Sequence, residues 1–217
     1  MKARCIDQER MIDQERLRQH LKVAHAKPFS PDLEAARKSP NYSALLALVK
    51  GASSPLSALA NIAATIYEAK DAINWAGFYA LISKGASDAA LSNDGTTRAT
   101  DASSNATFFA LGPFCGRPAC DLIPSHRGVL GLALENTSLY MRDVHLFPAH
   151  IACDERSQAE IVVPFDTNQG TLLLDIDSEQ KDFLTPELSI FIASCMAVIE
   201  DLFSSPEADA SIFRLFK

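Results

Sequence analysis

Apolar positions recur at helical spacing in two early stretches of the chain, Leu45, Leu46 and Val49, then Leu56, Leu59, Ile62 and Ile66. That period predicts helices over 42–50 and 55–68, joined through residues 51–54. The pattern then changes. From Ile73 to Ile82 the chain reads as a strand, with Trp75, Gly77 and Tyr79 on one face and Ala76, Phe78 and Ala80 on the other. Residues 83–107 are rich in Ser, Ala, Asp, Asn and Thr, bury little and read as a mobile hairpin excursion. Strand resumes over 108–111. A turn at Gly116-Arg117-Pro118 leads to a short strand over 119–123, then to a helix over 128–136. A long irregular loop spans 145–157. Two further runs, 160–165 and 171–177, form a hairpin around residues 166–170. The last element is a helix from Thr185 or Pro186 to about Phe203. Its buried stripe is Leu188, Phe191, Ile192, Cys195, Ile199 and Leu202.

Helices first, then an antiparallel run of strands, then a closing helix make an α+β domain over residues 41–204. Residues 1–40 precede it as an extension, partly helical or disordered. The extension repeats Ile-Asp-Gln-Glu-Arg at 6–10 and 12–16, and Pro28 and Pro31 break any helix there. Residues 205–217 form a tail, where Ile212, Phe213, Leu215 and Phe216 could pin a short helix.

Composition narrows the function. The chain has 217 residues, enough for one domain with a core of its own. Its net charge is −7, which argues against a general nucleic-acid binder. No apolar run approaches the ~20 residues of a membrane helix. The opening residues mix Arg10, Arg16 and Arg18 with Asp7, Glu9, Asp13 and Glu15, unlike a signal or transit peptide. The reading is a cytoplasmic protein. In a reducing compartment its 5 cysteines are not a disulfide framework, so they turn attention to catalysis or metal binding.

Asp175 and Asp177 are two apart on one strand, so both carboxylates leave the same face, roughly 7 Å apart, while Leu172, Leu174 and Ile176 meet core. Two such carboxylates repel unless a cation or a shared proton lies between them. Glu160 opens the partner strand. A five-residue loop pairing Phe165 with Thr171 puts it opposite Ile176, on the wrong face, whereas a shift of one residue or a bulge puts it beside Asp175. Among the cysteines, Cys195 falls on the buried stripe of the last helix and reads as inert core, and Cys5 lies in the extension without context. Cys120 follows the Gly-Arg-Pro turn on the short strand, with Cys115 five residues earlier. Cys153 is in the long loop, followed by Asp154, Glu155 and Arg156. A loop thiol can reach a substrate, but at neutral pH it needs an Arg or a helix terminus to favour the thiolate. A rival arrangement is a zinc site from His145, His150 and Cys153 with Cys115 or Cys120, although the spacing matches no short zinc motif. No Gly-rich phosphate loop and no Gly-x-Ser-x-Gly elbow occur.

Several segments in order carry a resemblance. They are Asn74-Trp75-Ala76-Gly77-Phe78-Tyr79, Leu111-Gly112-Pro113-Phe114, Pro118-Ala119-Cys120, Arg127-Gly128-Val129, Asp143-Val144-His145 through Phe147-Pro148 to His150-Ile151-Ala152-Cys153-Asp154, Glu160-Ile161-Val162-Val163-Pro164, and Leu174-Asp175-Ile176-Asp177-Ser178. Together they resemble the free methionine-(R)-sulfoxide reductase family, which is built on a single GAF domain. The likeness runs from about Tyr42 to Phe203, interrupted by 83–107.

The resemblance implies reduction of free L-methionine (R)-sulfoxide, with Cys153 as nucleophile and Cys120 as resolving thiol. It implies that Trp75 and Tyr79 wall the pocket, and that Glu160, Asp175 and Asp177 hold the substrate. It also implies a sulfenic acid and disulfide cycle, recycled by a thioredoxin-like external reductant, with no bound cofactor or metal and with a homodimer plausible for the fold. One departure stands out. The family often has Cys in a Gly-Val-Cys-Gly segment, where this chain has Leu130. Cys115 is a candidate auxiliary thiol in its stead. Pro148-Ala149-His150 also lacks the glycine usual before that histidine. The alternative function is a GAF module that senses or binds a small ligand without chemistry.

Overall fold

Side chains alternating across one long strand, β2 (Ile73–Lys84), divide the molecule into two layers. The computed structural model describes residues 26–84, 106–136, 138–147, 150–151, 153–167 and 169–204. Around β2 lie β1 (Ala26–Pro28), β3 (Ala106–Gly116), β4 (Leu122–Pro124), β5 (Leu139–Met141), β6 (Ala159–Asp166) and β7 (Thr171–Ser178). They form one seven-stranded sheet in the order β1-β5-β6-β7-β2-β3-β4, and every neighbouring pair is antiparallel. The helices are α1 (Leu33–Ala36), α2 (Pro40–Lys50), α3 (Pro55–Tyr67), α4 (Gly128–Asn136) and α5 (Pro186–Phe203).

Three of the helices begin in the same way for the same reason. Ser39, Ser54 and Thr185 each accept a backbone N–H three residues on, and a proline occupies the first turn. The hydroxyl satisfies an N–H that the helix cannot, and proline loses nothing where no N–H is needed.

Ala76, Phe78 and Ala80 face α2, α3 and α5, packing with Leu59, Ile62, Leu174, Ile176, Ile192 and Ile199 into the larger core. Cys195 is fully buried there, as its place on the helix stripe predicts. Trp75 and Tyr79 face the other way, into a smaller core with Phe109, Val129, Leu130, Val162 and Leu173. That second layer is covered by α4 and by loops, and the candidate site lies in it.

The differences from the sequence reading are local. α2 starts at Pro40, and β3 is much longer than 108–111 because its ladder with β2 continues to Trp75↔Gly116. Residues 117–121 are loop, so Cys120 precedes β4 and does not sit on a strand. β1 and β5 are three-residue strands at one end of the sheet, too short to leave a periodic signal, and β1 draws residues 26–28 of the extension into the sheet. Where the irregular loop begins, Val144–Leu146 makes one 3-10 turn. Of the excursion, 85–105 lies outside the described residues, as do Cys5, the repeated pentapeptide and the tail. Among the described residues no helix is long and apolar enough to cross a membrane.

Candidate active site

A four-residue connection pairs Asp166 with Thr171, and this places Glu160 directly opposite Asp177 and Val162 opposite Asp175. The register is one residue away from the five-residue-loop alternative, and that step brings Glu160 onto the face of the two aspartates. β2 continues the rows. Trp75 pairs with Asp177 and Gly77 with Asp175 across β2–β7. Across four strands the order is therefore Gly116, Trp75, Asp177 and Glu160, with Phe114, Gly77, Asp175 and Val162 in the adjoining row. Apolar wall and acid cluster are side by side on one sheet surface.

Two loops complete the site. The 117–121 loop brings Cys120, and the turn after Ile151 brings Cys153. Their sulfurs are 2.7 Å apart, and both cysteines are free thiols. The Cys153 turn is anchored at its far side. Asn74 Nδ2 donates to Ser157 Oγ at 3.0 Å and to Asp154 Oδ2 at 3.4 Å. Arg156 Nη2 donates to Asp154 Oδ2 at 2.6 Å, and Arg156 also pairs with Glu179 at 2.7 Å. The Cys120 loop is tied to the aromatic wall. Tyr79 donates its hydroxyl to the Cys120 carbonyl at 3.1 Å, and Trp75 Nε1 donates to the Arg117 carbonyl at 3.1 Å.

The space between these parts is a small cavity of about 30 Å3, roughly the room of one water. Its lining joins Trp75 and Tyr79, the 117–119 segment, Ile123, the first turn of α4 (Gly128, Val129, Leu130), His150, Ile151, Cys153, Asp154, Ser157 and the acids Glu160, Asp175 and Asp177.

Burial sets the protonation of the acids. Glu160 and Asp175 are nearly inaccessible, and desolvation, reinforced by their neighbours' charge, holds both carboxyls well above the usual carboxylate range. Asp177 is pushed up to about 7, first by burial and then by the charge of Asp154. Asp175 Oδ1 is buried without a hydrogen-bond partner. The cluster thus holds protons near neutrality and has an acceptor open to a cationic group. His150 Nε2 lies 3.6 Å from Glu160 Oε2, and burial lowers its pKa, which favours the neutral ring.

The thiol is less ready than the sequence suggests. Burial, followed by contact with Cys120, pushes Cys153 up to about 12. Arg156 gives it no help because its guanidinium is taken up by Asp154 and Glu179. The first turn of α4 opens on the same cavity, and its positive end favours an anion there.

Cys153, Trp75, Tyr79, Glu160, Asp175 and Asp177 all line this space, and Cys120 joins them through its contact with the Cys153 sulfur. Cys115 does not. It pairs with Ala76, so its side chain takes the helix-covered face of the sheet, and it is not among the residues that line the cavity. Leu130 lines the cavity as a buried alkyl group. The zinc arrangement also fails on placement. His145 is exposed and outside the lining, and among the described residues no group of three or more His, Cys, Asp and Glu is arranged to hold a metal. Asp154, Asn74 and Ser157 belong to the site but were not expected as its parts, and His150, considered only as a zinc ligand, lines the cavity beside Glu160. A buried asparagine at the head of an apolar strand was the signal available for Asn74.

No protein-family model matches the sequence. The chain is 37% identical over 163 residues to the free methionine-R-sulfoxide reductase of Escherichia coli (strain K12), covering 74% of this chain and 85% of that protein. Among solved structures, the free methionine-R-sulfoxide reductase of Neisseria meningitidis in complex with its substrate matches with a TM-score of 0.59 at 26% identity, over 84% of this chain and 95% of that one. A structure of the GAF domain matches with a TM-score of 0.55 at 26% identity, over 84% and 94% of the two chains.

Proposed function

Because this chain belongs to the free methionine-R-sulfoxide reductase family and has its GAF-domain fold, we propose that it reduces free L-methionine (R)-sulfoxide to methionine through Cys153 and Cys120. The observation that carries this reading is the meeting of two free sulfurs, 2.7 Å apart, at a cavity lined by three acids.

The steps follow from the groups present. The substrate ammonium sits among the carboxyls, where Asp175 Oδ1 has no other partner. A peptide-bound methionine sulfoxide has no such ammonium and brings chain on both sides. The Cys153 sulfur attacks the sulfoxide sulfur while a protonated carboxyl of the cluster gives its proton to the sulfoxide oxygen. The thiol proton of Cys153 returns to the cluster. Oxygen passes to Cys153 as a sulfenic acid, and methionine leaves with its sulfur reduced. The Cys120 thiol then attacks that sulfenic acid. An S–S bond forms and the oxygen departs as water. The distance between the sulfurs requires a shift of less than an ångström for this bond. A thioredoxin-like dithiol, itself oxidised, returns both cysteines to thiols by exchange, and no bound cofactor takes part. A reducing, cytoplasmic setting goes with that partner.

The test is an assay of the separated R and S epimers of free methionine sulfoxide, and of a peptide containing the sulfoxide, with a thioredoxin system as reductant. Turnover confined to the free R epimer supports the proposal. Binding of the free amino acid without methionine release would leave a ligand-binding module and overturn it.

A further inference from the structure

Trp75 is the single tryptophan of the chain and a wall of the cavity. What holds its ring lies behind the wall. A Cβ added at Gly77 would come 2.4 Å from Phe114 Cβ, 2.5 Å from Trp75 Cη2 and 2.9 Å from Trp75 Cζ3. A Cβ added at Gly116 would come 2.6 Å from Trp75 Cδ1 and 2.7 Å from the Asn74 carbonyl oxygen. Gly116 also has φ +129°, a conformation that side chains strongly disfavour. The six-membered end of the indole therefore lies on the bare backbone of Gly77, and the five-membered end lies on Gly116.

The faces of the ring are held as well. Phe114 stacks on it with centroids 5.5 Å apart and planes 15° apart. Tyr79 stacks at 5.9 Å and 27°. Nε1 is fixed by its bond to the Arg117 carbonyl. Phe114 is 36% exposed, so this support reaches the surface of the protein and is not part of the deep core.

We propose that Gly77, Gly116 and Phe114 are positioning residues that set the tilt of the Trp75 indole and through it the preference for one sulfoxide epimer. The inference rests on the sulfoxide-reduction reading above. The two epimers differ by exchanging oxygen and methyl at a pyramidal sulfur. Trp75 pairs directly with Asp177, and Gly77 directly with Asp175, so the surface that takes the methyl adjoins the acids that give the oxygen its proton. A ring fixed between two glycines and a phenylalanine keeps those surfaces at one spacing. A ring free to tilt blurs the distinction between the epimers.

The test uses the full chain with Phe114→Ala and Gly77→Ala, and two readouts. One is kcat and KM on each separated epimer. The other, independent of activity, is the emission maximum of Trp75 and its quenching by acrylamide without substrate. For Phe114→Ala, loss of one aromatic stack should raise KM for the R epimer about 3- to 10-fold with kcat within about 2-fold, and narrow the R-over-S preference. Trp75 should become more open to acrylamide. Gly77→Ala should act in the same direction and more strongly. If it does not fold, Phe114→Ala decides. A folded Phe114→Ala protein with unchanged KM, epimer ratio and quenching overturns the proposal. Should the unmodified protein turn over neither epimer, the sulfoxide reading fails and the epimer role falls with it. Quenching then decides the seating of the ring, which greater accessibility in Phe114→Ala sustains and an unchanged value overturns.

Discussion

Glu160 of β6 lies directly across the strand pair from Asp177 of β7. Like charges so placed repel, and Glu160 is turned from water while Asp177 is half-buried. The arrangement persists in a folded protein because the carboxyls keep protons, as the upward shifts at Glu160, Asp175 and Asp177 express. An acid cluster with spare protons beside a thiol is costly as structure and useful as a proton source.

Glu160→Gln should therefore separate stability from activity. The amide keeps the shape and removes a group that resists ionisation, so at about pH 8 the variant should be more stable by about 1 kcal/mol, or ~2–4 °C in Tm for a chain of this size. Turnover should fall by about a hundredfold or more if the cluster supplies the proton. Thermal melts and a methionine-release assay check both. A variant that melts lower and turns over normally would return Glu160 to a structural role.

The pH dependence of stability has a definite sign. A carboxyl raised in the folded state binds a proton there while the unfolded chain has already lost it. Stability from Asp177 is thus greatest below its usual value of 3.8 and declines as pH rises toward about 7. Asp177→Asn should flatten the fall in Tm across that window. An equally steep fall in the variant would mean that Asp177 does not carry the shift.

Cys153→Ser should abolish turnover. Cys120→Ser should release about one methionine per chain and then stall, because the first oxygen transfer needs only the attacking sulfur. Single-turnover product counting distinguishes the two. Repeated turnover by Cys120→Ser with a thioredoxin donor would remove Cys120 from the cycle.

Asp154→Ala should loosen the turn that carries Cys153. It frees Arg156 and removes an acceptor for Asn74. It also deletes the second cause of the raised pKa of Asp177, so the Tm decline with pH should become shallower. Hydrogen exchange across residues 153–157 should quicken and kcat should fall. Unchanged exchange there would show that the clamp does not order the turn.

The face assignments were legible because they are local. Alternation alone separates Trp75 and Tyr79 from Ala76 and Phe78, and sets Asp175 with Asp177 against Leu174 and Ile176. Of the helices, α2, α3 and α5 were legible from their stripes, and each Ser-Pro or Thr-Pro start has the same capping chemistry. Cys195 on its stripe is buried, as the helical period requires.

The tertiary structure decided everything that depends on how one segment meets another. Whether Glu160 joins the aspartates turns on a single residue of loop length, since one step of register reverses a strand's faces. Cys115 lies five residues from Cys120 yet faces the opposite side of the sheet, because β3 runs on to pair it with Ala76 and the chain then leaves the sheet before Cys120. The meeting of Cys120 with Cys153, from loops 33 positions apart, has no periodic signature at all. Nor do the raised pKa values, for they come from burial among groups that only folding brings together. By itself the sequence determined which side chains share a face and which residue types are present. Packing in three dimensions decided which of them touch, and how much water is left between them.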